Sequence, residues 1–109
     1  MDSLIKEMED CKTVEECIEV ATMDTYGEEE QASGWLACIE EMFGKFKTAL
    51  VLGEEVILKK FDLSNASAII AICLKGKISA KIALESLDFP NLSDKQKLWL
   101  NAWKEWSHG

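Results

Sequence analysis

The chain has 109 residues, with 20 acidic side chains against 12 lysines, a single histidine and a net charge of −8; this length holds one domain with a true hydrophobic core. So acidic a surface disfavours nucleic-acid phosphates and anionic lipid, and no uncharged run approaches the roughly 20 residues that a membrane span needs. Cys11, Cys17, Cys38 and Cys73 are scattered, with no C-x-x-C pair and no neighbouring histidine, which excludes zinc-finger spacing and a dithiol redox motif and predicts free thiols.

The opening residues, MDSLIKEMED, lack the basic start and continuous apolar stretch of a secretory signal, so a cytoplasmic location is expected. Charge is unevenly spread. Residues 1–41 hold 13 acids and 2 lysines, a net −11, whereas residues 42–109 hold 7 acids and 10 lysines, a net +3. The negative field therefore belongs to the N-terminal half, where it attracts cations or basic protein surfaces.

In chain order, residues 3–10 predict a short helix with Leu4, Ile5 and Met8 as its apolar stripe. Thr13-Val14-Glu15-Glu16 is a capping box, in which the threonine oxygen takes an orphan amide hydrogen and the glutamate reaches back. A helix over 14–22 follows from it. The next helix ends at Gly44, and a wheel at 100° per residue places Glu28, Ile39, Ala32, Phe43 and Leu36 within roughly 100° of Trp35. Glu30 and Glu41 fall on the far side of that wheel, and Glu29 and Glu40 on its flank. If the helix reaches back past Gly27, Asp24 and Glu28 align as i and i+4 along the apolar edge.

Beyond Gly44 the period shortens to 2. Residues 47–52 (KTALVL) and 55–61 (EVILKKF) predict two strands turned at Gly53-Glu54, and 68–74 (AIIAICL) and 77–84 (KISAKIAL) two more turned at Lys75-Gly76. Alternation of Ile78, Ala80, Ile82 and Leu84 with Ser79, Lys81 and Ala83 predicts a fourth strand buried on one face. Ser93 and Gln96 form a second capping box opening a helix over 94–107, whose Trp99, Trp103 and Trp106 share one face at core spacing. The fold class expected is α+β: N-terminal helices, a small antiparallel four-stranded sheet curled as an SH3-like half-barrel, and a tryptophan-rich C-terminal helix.

His108 is the only histidine and stands next to the chain end; there is no G-x-x-x-x-G-K-[ST], G-x-G-x-x-G or H-E-x-x-H. No enzyme is expected. Clustered carboxylates suit a hard divalent cation, since calcium takes 6 to 8 oxygen ligands. An EF-hand is excluded as their scaffold, because a loop begun at Asp24 places Glu29 at position 6, where glycine is required.

Asp24-Thr-Tyr26-Gly-Glu28-Glu29-Glu30-Gln-Ala32-Ser-Gly34-Trp35 resembles the D-x-Y-x-E-E-E-x-A-x-G-W signature of the small calcium-binding protein family CcbP, whose members bind calcium without EF-hands. Glu40-Glu41, Gly53-Glu54-Glu55-Val56, Ala83-Leu84-Glu85-Ser86-Leu87 and the W-x-x-W pair Trp103 and Trp106 continue the likeness in order over about residues 18–107. The pattern departs from the family at Ala102, where aspartate is expected, and between the second and third strands, where an acidic segment is reduced to Asp62-Leu-Ser-Asn-Ala-Ser. Within the single domain 1–109, residues 1–22 are read as a helical extension and 23–107 as the CcbP-like part, which the resemblance implies buffers or senses calcium; a monomer is expected. The ligands expected are Asp24, Glu28 and Glu29 foremost, Glu30 beside them, Glu40 and Glu41 as flanking carboxylates, and Asp62 from the sheet. Trp35 and Tyr26 are assigned to packing. The competing expectation is an acidic interaction module that docks a basic protein partner and uses no metal.

Overall fold

A computed structural model describes residues 2–23, 27–64 and 68–108. Helices α1 (Asp2–Asp10), α2 (Val14–Ala21) and α3 (Glu28–Phe43) are followed by strands β1 (Thr48–Val51), β2 (Glu54–Leu63), β3 (Ile69–Lys75) and β4 (Ile78–Ala83), a 3₁₀ turn at Leu84–Ser86, and helix α4 (Asp94–His108). The strands form one open antiparallel sheet in the order β1-β2-β3-β4. The class is α+β, as expected.

Both capping boxes form. Thr13 Oγ1 accepts from the Glu16 amide at 3.1 Å while Glu16 Oε1 accepts from the Thr13 amide at 3.2 Å. Ser93 and Gln96 repeat the exchange at 3.1 and 2.9 Å. Two orphan donors are satisfied at each helix start, which fixes where α2 and α4 begin.

One face of the sheet and the helices enclose the core. A register shift between Leu58 and Lys60 inserts an extra residue in β2, so that Val56, Leu58 and Phe61 all point inward opposite Ala71 and Cys73 of β3. α3 lies against β2, and α4 packs on α2 and α3. At the centre, Trp35 of α3 meets Trp99 and Trp103 of α4 edge-on, with ring centroids 5.9 and 5.5 Å apart, and Trp106 at 5.7 Å. The tryptophan stripe thus clamps α4 onto α3. Met8, Cys11, Cys17 and Ala21 belong to the same core, so the N-terminal helices share it.

The hairpin turns lie one residue from where the sequence places them. Val51 pairs with Glu54 and Lys75 with Ile78, so the turn residues are Leu52-Gly53 and Gly76-Lys77. The reason is backbone sign: Leu52 at φ 52° and Gly53 at φ 83° supply the paired left-handed residues of a type I′ turn, and Gly76 at φ 62° the first residue of a type II′ turn. A second difference concerns β4, whose apolar side was expected to be buried. Ile78 is 72% exposed and Ala80 is exposed as well, because the helices cover the sheet nearer its β2 side.

All four cysteines are free and buried. Burial pushes the Cys17 and Cys38 thiols up to about 12 and raises those of Cys11 and Cys73. Thiolate, the reactive form, is therefore scarce near neutrality. A disulfide-exchange reagent at pH 8 is expected to leave the folded protein unmodified on the minute timescale and to titrate four thiols in guanidinium; rapid native modification would contradict the packing.

Candidate functional site

The acidic entry to α3 is shaped by Gly27. Its φ of 101° and ψ of 166° lie outside the helical region, so α3 starts at Glu28. The helix does not reach back past Gly27, the condition on which an i, i+4 alignment of Asp24 and Glu28 depends. Asp24 and Tyr26 lie outside the described residues, as does the side chain of Glu28. Glu29 and Glu30 occupy the first turn of α3 and are exposed. Carboxylates there face the positive end of the helix dipole, which stabilises them by roughly 0.3–1 kcal/mol each without any ion.

The other predicted ligands are placed apart from this turn. Glu40 and Glu41 are exposed on the last turns of the same helix, about 16 Å along the axis from Glu29 and Glu30 at 1.5 Å per residue. Asp62 Oδ1 accepts a hydrogen bond from the Leu63 amide at 2.8 Å, and its other oxygen lies 3.9 Å from Lys60 Nζ. The carboxylate thus takes one local backbone donor and lies near one exposed lysine.

Among the described residues, no group of three or more Asp, Glu, His or Cys side chains is arranged to hold a metal ion. Of the carboxylates expected from the sequence, the described ones, Glu29, Glu30, Glu40, Glu41 and Asp62, are not gathered into one such group.

The structure also gathers acids that were not expected as a group. α1 and α2 border a surface groove of about 260 Å³ with Glu7, Asp10, Glu16 and Glu19 around it and Cys11, Val20 and Met23 along its apolar part. Met23 is 44% exposed. In the sequence these acids are spread over two helices, and only the packing of α1 on α2 assembles them. No helix among the described residues is long and apolar enough to cross a membrane.

These features define a small α+β domain with its helices on one side of an open four-stranded sheet and its negative charge in the N-terminal half. The fold is that of CcbP: the crystal structure of Anabaena CcbP matches it with a TM-score of 0.69 over 86% of this chain and 88% of that chain, at 14% sequence identity. No protein-family model matches the chain, and no curated protein matches it. The likeness is one of fold, and it agrees with the resemblance carried by Asp24 to Trp35.

Proposed function

We propose that this protein binds calcium, through carboxylates of the segment Asp24 to Glu30 that leads into α3, as a non-enzymatic cytoplasmic buffer or sensor. The observation that carries the reading is the CcbP fold joined to the acidic D-x-Y-x-E-E-E segment at the entry to the helix that bears Trp35. Asp24 and Glu28 are its central ligands, with Glu29 and Glu30 completing the negative charge. Glu40, Glu41 and Asp62 contribute to the general field. The net −11 of residues 1–41 raises the local cation concentration around the segment.

A second reading is favoured by the acidic groove between α1 and α2. Carboxylates around an apolar strip with an adaptable methionine suit a basic amphipathic segment of a partner. One set of titrations separates the two. In backbone-amide NMR spectra, millimolar calcium is expected to move resonances of Asp24 to Glu30 selectively, with magnesium weaker, and Asp24→Asn combined with Glu28→Gln to remove the response. Shifts confined to this segment indicate a buffer; shifts spreading into α3 and α4 indicate a sensor. Absence of a localised calcium response overturns the calcium reading. Salt-sensitive shifts around Glu7, Asp10, Glu16 and Met23 on adding a lysine-rich amphipathic peptide would support the second.

A further inference from the structure

The two edges of the sheet are finished differently. β1 is bridged at Leu50, which exchanges both backbone hydrogen bonds with Asp88, at 2.9 and 2.8 Å. β4 is open: among the described residues, no backbone hydrogen bond outside its pairing with β3 involves residues 78–83. In a two-residue hairpin closed by Lys75 and Ile78, paired residues alternate between bonded and non-bonded positions. Ser79, Lys81 and Ala83 consequently turn their N–H and C=O groups away from β3. Such an edge is a template for another strand.

An apolar groove of about 200 Å³ lies beside this edge, with Val56, Cys73, Ala80 and Ile82 among its lining and Leu52 and Ile78 at the hairpin tips. Leu52 is 96% exposed and sits at φ 52°, in a left-handed turn position ordinarily given to asparagine, aspartate or glycine. A leucine there is strained by roughly 1–2 kcal/mol and buries nothing. Together with the exposed Ile78, it leaves an apolar rim that folding alone does not account for.

Charge selects the occupant. Residues 75–84 carry Lys75, Lys77 and Lys81 and no acid, in a chain whose net charge is −8. Glu54 holds Lys75 at 2.7 Å, and the lysine keeps the Glu54 carboxyl below its usual range. Lys77 and Lys81 are exposed and pair with no carboxylate among the described residues. A second copy of β4 paired antiparallel about Ala80 would bring two Lys81 side chains diagonally together on one face, within the roughly 7–8 Å at which cross-strand neighbours still interact. Self-pairing in this register is thus disfavoured, and an acidic strand is favoured.

We propose that β4 accepts an extended segment of a partner protein, built of alternating acidic and apolar residues, as a fifth strand of the sheet. Its apolar side chains lie beside Ile78, Ala80 and Ile82 and enter the groove; its acidic side chains lie on the opposite face beside Lys81. Backbone bonds to Ser79, Lys81 and Ala83 hold it, the mode of recognition known as β-augmentation. This interaction is independent of any calcium site.

The test uses the full chain and a fluorescein-labelled eight-residue peptide alternating glutamate and valine, with a glutamine–valine peptide and a proline-interrupted version as controls. The glutamate peptide is expected to bind at least threefold more tightly than the glutamine peptide, and the proline version not to bind. Amides of Ser79, Lys81 and Ala83 are expected to gain protection from hydrogen exchange. Lys81→Glu should abolish the glutamate preference and Ile78→Asn should weaken both peptides, each with an unchanged melting temperature because both side chains are exposed. Equal binding of all three peptides, protection elsewhere on the surface, or concentration-dependent self-association through β4 would each overturn the proposal.

Discussion

Replacing Trp35 by alanine is expected to remove about 3–5 kcal/mol of stability, the range for emptying a buried aromatic site. Trp35 is fully buried and touches Trp99, Trp103 and Trp106, so its loss separates α3 from α4. A domain of this size has a total stability of roughly 5–15 kcal/mol, and the melting temperature should fall by about 15 °C or more. Phenylalanine at the same position makes the argument sharper. The Trp35 indole Nε1 is the buried polar side-chain atom without a partner among the described residues, and an unmet buried donor costs roughly 1–3 kcal/mol. Trp35→Phe removes that donor along with part of the ring, so the two effects oppose each other. Trp103→Phe has no such offset, because Trp103 Nε1 donates to Glu85 Oε1 at 2.8 Å. Guanidinium melts should therefore rank Trp35→Phe as milder than Trp103→Phe, with Trp35→Ala the most damaging. A Trp35→Ala loss below about 1 kcal/mol would be far outside the range for a filled aromatic core site.

The parts of the fold governed by local chemistry were legible in the sequence. Capping boxes at Thr13 and Ser93 fixed two helix starts because the hydrogen bonds involved span three residues. The wheel around Trp35 identified Ala32, Ile39 and Phe43, which are fully buried. Turn phase was missed by one residue because Leu52 takes a left-handed conformation that its side chain disfavours. The exposure of Ile78 and Ala80 was invisible because alternation shows which residues share a face, whereas the position of the helices decides whether that face is covered.

For the candidate site, legibility was poorer for a similar reason. Spacing placed Glu29, Glu30, Glu40 and Glu41 on one helix, and at 1.5 Å per residue it already sets the two pairs about 16 Å apart. Spacing offered Asp62 as a contributor from the sheet and gave no sign of its bond to the Leu63 amide. The acidic groove of Glu7, Asp10, Glu16 and Glu19 depends on helix packing, and no motif announces it. The open edge at β4 did carry a signal, three lysines and no acid in residues 75–84 of an acidic chain.

Ala102→Asp is expected to unfold the protein or nearly so, although the CcbP resemblance implies aspartate at this position. Ala102 is fully buried on α4, next to Trp103 and within the main core. A carboxylate introduced there leaves water for the main hydrophobic core, and burying an unpaired charge belongs to the class of substitutions that cost more than about 4 kcal/mol. Burial would raise the pKa of this aspartate above its unfolded value, so the sign of the pH effect is determined. Below the unfolded pKa, near 4, the group is neutral in both states and only the cost of a neutral buried acid remains; as pH rises toward 7 the unfolded state ionises first and stability falls further. Thermal melts at pH 4 and pH 7 should therefore show the gap between variant and parent widening with pH. Calcium is expected to leave that gap open, because position 102 is fully buried whereas Glu29 and Glu30 are exposed in the first turn of α3. If millimolar calcium restored the variant to the parent's melting temperature, Ala102 would lie at a metal site and the packing of α4 against Trp35 would have to be different.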